Sequence, residues 1–180
     1  MRISAEETAA LVVDYQQKLI PVINNNEEIV KNTAVLIKGL KELDVPIIVS
    51  QQYTKGLGDT VGEISEALGE YEPFDKKSFS LMGDENIRRA VKLTGRKNII
   101  ICGVEAHICV LQTLLDLIEE GYNVLLVEDC IGSRKENDKV IACRRAEAEG
   151  GLLTTYEAVL YELTEGAYSG HFKSISKLTK

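Results

Sequence analysis

The chain has 180 residues, 44% of them hydrophobic, and a formal net charge of −7. That length suits one domain over residues 1–180 with a sizeable core, and the charge argues against a nucleic-acid backbone or an anionic membrane surface as partner. No apolar run approaches the roughly 20 residues that cross a bilayer, and the start, Met1 to Glu7, lacks the apolar centre of a signal peptide, so a cytoplasmic protein is expected.

Apolar runs alternate with segments of helical period. Thr8 to Asp14 reads as a buried strand ending in an acid. Ile29, Thr33, Leu36, Leu40 and Leu43 recur at helical spacing. Pro46 opens a second strand, Ile47 to Ser50. Gln51 to Tyr71 is polar and rich in glycine, which predicts a long loop with one short helix near Glu63 to Leu68. A short strand is expected around Pro73–Asp75. Asp84 has the place of a helix N-cap, with the helix running to Leu93 and closed by Gly95.

Asn98 to Cys102 is the next strand, followed by a helix with Ile108, Leu111, Leu115 and Ile118 on one face and Gly121 at its end. Asn123 to Val127 is a further strand, followed by Glu128 and Asp129. A helix from Glu136 to Glu149, a last strand at Leu152–Thr154 and two short helices complete the chain. Strands apolar on both faces, each followed by an amphipathic helix, indicate a doubly wound α/β fold. Its sheet would be mostly parallel with helices on both faces, a three-layer, Rossmann-like arrangement. Ligands of such folds sit beyond the carboxyl ends of the strands. Asp14, Gln51–Tyr53, Asp75–Lys77, Cys109 and Asp129 all follow strand ends and are expected along that edge.

The four cysteines, Cys102, Cys109, Cys130 and Cys143, form no C-x-x-C pair and are expected as free thiols. The two histidines, His107 and His171, lie far apart, which disfavours a histidine-built metal site. Cys109 stands apart. The apolar run Ile99–Cys102 ends at Gly103, and six residues later Cys109 falls where a helix begins. A helix N-terminus favours negative charge and predicts a lowered thiol pKa. Three strand ends would then bring an acid, a cation and a thiol to one cleft, the set needed for nucleophilic attack on a carbonyl.

The segments Leu11-Val-Val-Asp14-Tyr-Gln16, Lys76-Lys-Ser-Phe79-Ser80 and Gly103-Val-Glu-Ala-His-Ile-Cys109 resemble the isochorismatase-like cysteine hydrolases over nearly the whole chain. Gln52-Tyr53, Gly56-Leu-Gly-Asp-Thr60 and His171-Phe-Lys-Ser-Ile175 are similar to the isochorismatase-domain subgroup of that family. The resemblance implies Asp14 as general base, Cys109 as nucleophile and Lys76, rather than Lys77, as the catalytic lysine. It also implies a non-proline cis peptide at Val104–Glu105, with backbone N–H groups near Ala106 and Cys109 facing an oxyanion.

Gln16, Gln52, Tyr53, Leu57 and Phe79 are the expected substrate-binding set. His107 lies close to the nucleophile, and its contact with substrate stays open. Nicotinamidases of this family hold a metal through an Asp and histidines after the second strand; Gln51-Gln52-Tyr53 stand there instead, so neither metal nor other cofactor is expected. The implied activity is metal-independent cleavage of a small amide or related carbonyl through a thioacyl-enzyme, by a homo-oligomer of at least two copies. Its partner would be a small-molecule substrate, not nucleic acid or membrane. Two rival readings keep the fold: a non-catalytic or regulatory binding protein, and a redox sensor in which Cys130 or Cys102 resolves an oxidised Cys109.

Overall fold

The computed structural model describes residues Met1–Lys180. Six strands form one sheet: β1 (Thr8–Val13), β2 (Ile47–Gln52), β3 (Phe74–Lys76), β4 (Asn98–Val104), β5 (Asn123–Gly132) and β6 (Leu152–Thr154). Their order is β3-β2-β1-β4-β5-β6, and every neighbouring pair is parallel. β1 and β4, at the centre, are buried at every position. Such strands are apolar throughout because helices cover both faces.

Alternate residues feed two separate cores, as the period of two demands. Ala10, Val12, Ile100, Cys102, Leu125 and Val127 face one side. There they pack on α1 (Asn26–Glu42), α3 (Gly62–Leu68), α7 (Tyr156–Thr164) and α8 (Phe172–Leu178). Ala9, Leu11, Val13, Ile99, Ile101, Val124 and Leu126 face the other side, under α4 (Glu85–Leu93), α5 (Leu111–Glu119) and α6 (Glu136–Ala148). The Asp84 carboxylate accepts the N–H groups of Asn86 and Ile87 and so caps α4. The doubly wound α/β expectation is met. No helix is long and apolar enough to cross a membrane.

Four differences from the sequence reading concern the carboxyl edge. β2 and β4 run two residues further, to Gln52 and Val104. β5 continues past Val127 to Gly132: Ile101 pairs with Leu126 but Gly103 with Ile131, so β5 bulges between them. The charged pair Glu128–Asp129 masks this extension in the sequence. Asp129 is not at the cleft edge; its carboxylate accepts the Tyr156 N–H at 2.9 Å at the start of α7. The loop after β2 holds α3 as expected, plus one turn, α2 (Thr54–Leu57), whose Thr54 N–H donates to Asp75 at 2.7 Å.

Where β1 and β4 meet beside the carboxyl edge, only glycine fits. Gly103 has φ +147°, and a Cβ there would collide with the side chain and carbonyl of Val13. The next peptide but one, Val104–Glu105, is cis.

Candidate active site

Asp14 is the first residue beyond β1 and takes a left-handed conformation, φ 55°, which short polar residues tolerate better than others. The turn aims its carboxylate along the sheet edge. Its N–H donates to the Ser50 carbonyl at 3.2 Å. One carboxylate oxygen accepts the Ser50 hydroxyl at 2.7 Å, and the other accepts Lys76 Nζ at 2.7 Å. Lys76, the last residue of β3, reaches across β2 to make this bond. Both side chains are completely buried. Two charges withdrawn from water persist only when paired and hydrogen-bonded, and here each is.

Cys109 enters from the other side of β1. It lies in a wide helical turn, Ala106–Val110, that leads into α5. Its sulfur is 3.6 Å from Lys76 Nζ, and the residue is 6% exposed. The three strand ends thus bring acid, cation and thiol into direct contact. The chain holds this turn against the segment after β3. Thr113 donates its hydroxyl to the Cys109 carbonyl at 2.6 Å and accepts the Leu81 N–H at 3.0 Å. Ser80 donates to Asp116 at 2.6 Å.

The Cys109 thiol pKa is raised, not lowered as its place at a helix start predicts. Burial pushes Cys109 up to about 12, the Asp14 carboxylate adds to the rise, and Lys76 only partly opposes it. The sequence shows a positive helix end but not the loss of water around the sulfur, and desolvation is the larger effect.

Val104, Glu105 and Ala106 are buried beside the cis peptide. The Glu105 carbonyl accepts the N–H groups of Ile108 and Val110. Its carboxylate accepts the Arg134 N–H and Nε, both at 3.0 Å. His107 shares a hydrogen bond of 2.9 Å with Ser133, and its other ring nitrogen lies 3.9 Å from Asp138. The Ser133 bond ties the Ala106–Val110 turn to the residue that follows β5.

Two of the expected substrate-binding residues are clamped into the scaffold. Gln16 is fully buried. Its amide oxygen accepts the Gln52 N–H at 2.7 Å, and its amide nitrogen donates to the carbonyls of Gln52 at 3.1 Å and Gly58 at 2.7 Å. Both N–H donors of the Gln16 amide are thereby taken, and its side chain is shut off from solvent. Gln52 has its amide oxygen on Lys76 Nζ at 2.7 Å and its amide nitrogen on the Lys77 carbonyl at 3.0 Å. Side-chain direction explains the difference, because a strand pattern gives faces, not hydrogen bonds. Tyr53 and Phe79 are 52% and 54% exposed, and Leu57 is half-buried.

Cys102 and Cys130 belong to the core on the face opposite Cys109, so neither can resolve an oxidised Cys109. Ser50, the Ser78 carbonyl, 3.2 Å from Lys76 Nζ, and Thr113 were not foreseen. Only Ser50 left a trace in the sequence, as the polar residue closing Ile47-Ile48-Val49. No three His, Cys, Asp or Glu side chains converge as metal ligands.

Residues 8–158 match the isochorismatase domain. Isochorismatase domain-containing protein 2 of Danio rerio is 37% identical, the alignment covering 98% of this chain and 89% of that protein. The structure of MAR1 ribonuclease from Caenorhabditis elegans superposes with a TM-score of 0.93 at 40% identity, covering 99% of this chain and 92% of that one. The YcaC gene product of Escherichia coli, an octameric hydrolase of unknown specificity, superposes with a TM-score of 0.93 at 26% identity, covering 99% and 89%. Since the matched region runs through all three strand ends that carry Asp14, Lys76 and Cys109, the chain belongs to the isochorismatase family and has its hydrolase fold.

Proposed function

We propose that the protein is a metal-independent cysteine hydrolase that cleaves a small amide or related carbonyl compound. The observation that carries this reading is the buried contact of Lys76 with both Asp14, at 2.7 Å, and the Cys109 sulfur, at 3.6 Å. A buried ion pair touching a thiol supplies what a sulfur nucleophile needs: a base for its proton and a cation for its charge.

In the proposed cycle Asp14 takes the Cys109 proton as the sulfur bonds to the substrate carbonyl carbon. The carbonyl oxygen becomes an oxyanion facing backbone N–H groups near Ala106 and Cys109. The carbon–nitrogen bond then breaks, and the proton on Asp14 leaves with the amine. Water attacks the thioester, Asp14 accepts its proton, the acid departs and the sulfur is reprotonated. Burial keeps the thiol neutral until substrate arrives, so proton transfer accompanies attack. Tyr53, Leu57 and Phe79 would contact the substrate. Gln51 and Gln52, at the place of the nicotinamidase metal ligands, are bonded to Thr60, Lys76 and Lys77, in keeping with chemistry that uses no metal.

A net charge of −7 speaks against a polyphosphate substrate. The octameric relative supports a homo-oligomer of two or more copies, and four free buried thiols suit a reducing cytoplasm. The alternative, a binding or regulatory protein with a silent thiol, is favoured by the rise of the Cys109 pKa to about 12.

The deciding experiment is a panel of small primary amides, reading amine release and intact mass for wild type and Cys109→Ala. Turnover and a thioacyl adduct in wild type, both absent from the variant, are expected. Equal turnover in the two proteins overturns the mechanism.

A further inference from the structure

We propose that Gln52 is a positioning residue that restrains Lys76, keeping its last N–H away from the Cys109 sulfur until Asp14 has been protonated. This rests on the cysteine-hydrolase reading and adds to it how the thiol is held silent.

The argument is a proton count. An ammonium has three N–H donors and no acceptor. Lys76 Nζ has three oxygen neighbours: Asp14 at 2.7 Å, Gln52 at 2.7 Å and the Ser78 carbonyl at 3.2 Å. The sulfur, at 3.6 Å, is a fourth claimant for three protons. With three oxygens competing for the same three protons, a thiolate has at most a shared N–H. That agrees with a cation that only partly opposes the rise that burial imposes on the thiol.

The orientation of the Gln52 amide follows from its surroundings. Its nitrogen faces the Lys77 carbonyl at 3.0 Å, and its oxygen faces an ammonium that only donates. Flipping the amide would set NH2 against ammonium and oxygen against oxygen. The backbone of Gln52 is held too, because Gln16 bonds both its N–H and its carbonyl. Gln52 and Lys76 are register partners on neighbouring strands, so the two side chains leave the same face together.

The restraint is released by the chemistry itself. When the thiol proton moves to Asp14, the carboxylate becomes neutral and loses its hold on Lys76. The N–H that served Asp14 is then free to turn to the sulfur, while Gln52 and Ser78 keep the other two.

The test is iodoacetamide alkylation of Cys109 at fixed pH, read by peptide mass mapping on the intact protein. Gln52→Leu leaves one N–H of Lys76 without an oxygen, so the thiolate gains it. A shift of about one pH unit, a tenfold faster alkylation, is expected. Gln52→Glu puts a second carboxylate against Lys76 and opposes the thiolate, so alkylation should slow by about tenfold. A scaffold role alone would move both variants in one direction. The same direction, or no change in either, overturns the proposal. Gln52→Met, which keeps the length and lacks the oxygen, replaces Gln52→Leu if thermal melting shows that variant unfolded. Lys76→Met and Asp14→Asn run in parallel. If neither alters alkylation, the hydrolase reading fails; if they do and the Gln52 variants do not, only the restraint fails.

Discussion

Cys102 and Cys109 share a fate and differ in company. Both are buried, and burial pushes both thiols up to about 12. Cys102 faces the core under α1 and α7, where its sulfur meets the Leu11 carbonyl at 3.7 Å and no charged group. Cys109 faces the opposite core, against the Asp14–Lys76 pair. Burial alone therefore makes an inert sulfur. What separates the two is the carboxylate and ammonium beside Cys109, the pair proposed to act when the proton moves.

The largest expected contrast is in turnover. Cys109→Ala should lose at least about a thousandfold in rate. Cys102→Ala should stay near the wild-type rate, measured on the same amide. A comparable loss in both would erase the distinction between the faces.

Next in size is stability. Lys76→Met leaves Asp14 buried and unpaired, and should lower unfolding free energy by about 3–5 kcal/mol. Adding Asp14→Asn should restore most of it, because the amide is neutral, still accepts the Ser50 hydroxyl and tolerates the φ of 55°. Urea titration of the two variants checks this, and a single variant as stable as wild type would break the ion-pair argument.

Backbone crowding comes third. Gly103→Ala should cost about 3 kcal/mol, since its Cβ meets Val13 as well as the strained φ of +147°. Gly121→Ala, with φ +86° and open space, should cost only about 1 kcal/mol. Equal losses would mean the β1–β4 approach is looser than described.

The mildest effect is on the alkaline side. Ionisation of the thiols from an ordinary 9.0 is raised in the fold to about 12 for Cys102 and Cys109 and about 11 for Cys143. Between those limits the folded chain holds more protons than the unfolded one, so stability falls as pH rises. The urea midpoint should be level to about pH 8 and decline from pH 9 upward. A midpoint that climbs there would contradict the burial of these sulfurs.

Much of this was legible in the residues. Apolar runs marked the strands, because a parallel sheet covered on both faces admits no polar alternation. Asp14 and Cys109 stood out because each follows such a run, whereas Lys76, after Phe74 and Asp75, was told from Lys77 only by resemblance to the family. What failed depended on surroundings. β5 hid its last residues behind Glu128, which pairs with Lys139, and Asp129, which accepts the Tyr156 N–H at the start of α7. Gln16 and Gln52 look like cleft residues in sequence, and only their hydrogen bonds turn them inward. The thiol's rise follows from water excluded by many distant residues, which no local motif records.

The place of β1 also orders the site in time. As the ribosome lengthens the chain, β1, β2 and β3 are finished first, and with them Asp14 and Lys76. β1 then has one edge paired and the other bare, since its second neighbour is β4. Such an edge is a template for wrong partners until it is covered. The strand that covers it is also the strand that leads to Cys109. Of the three side chains the sulfur is translated last, so a nascent chain carries Asp14 and Lys76 before it carries Cys109.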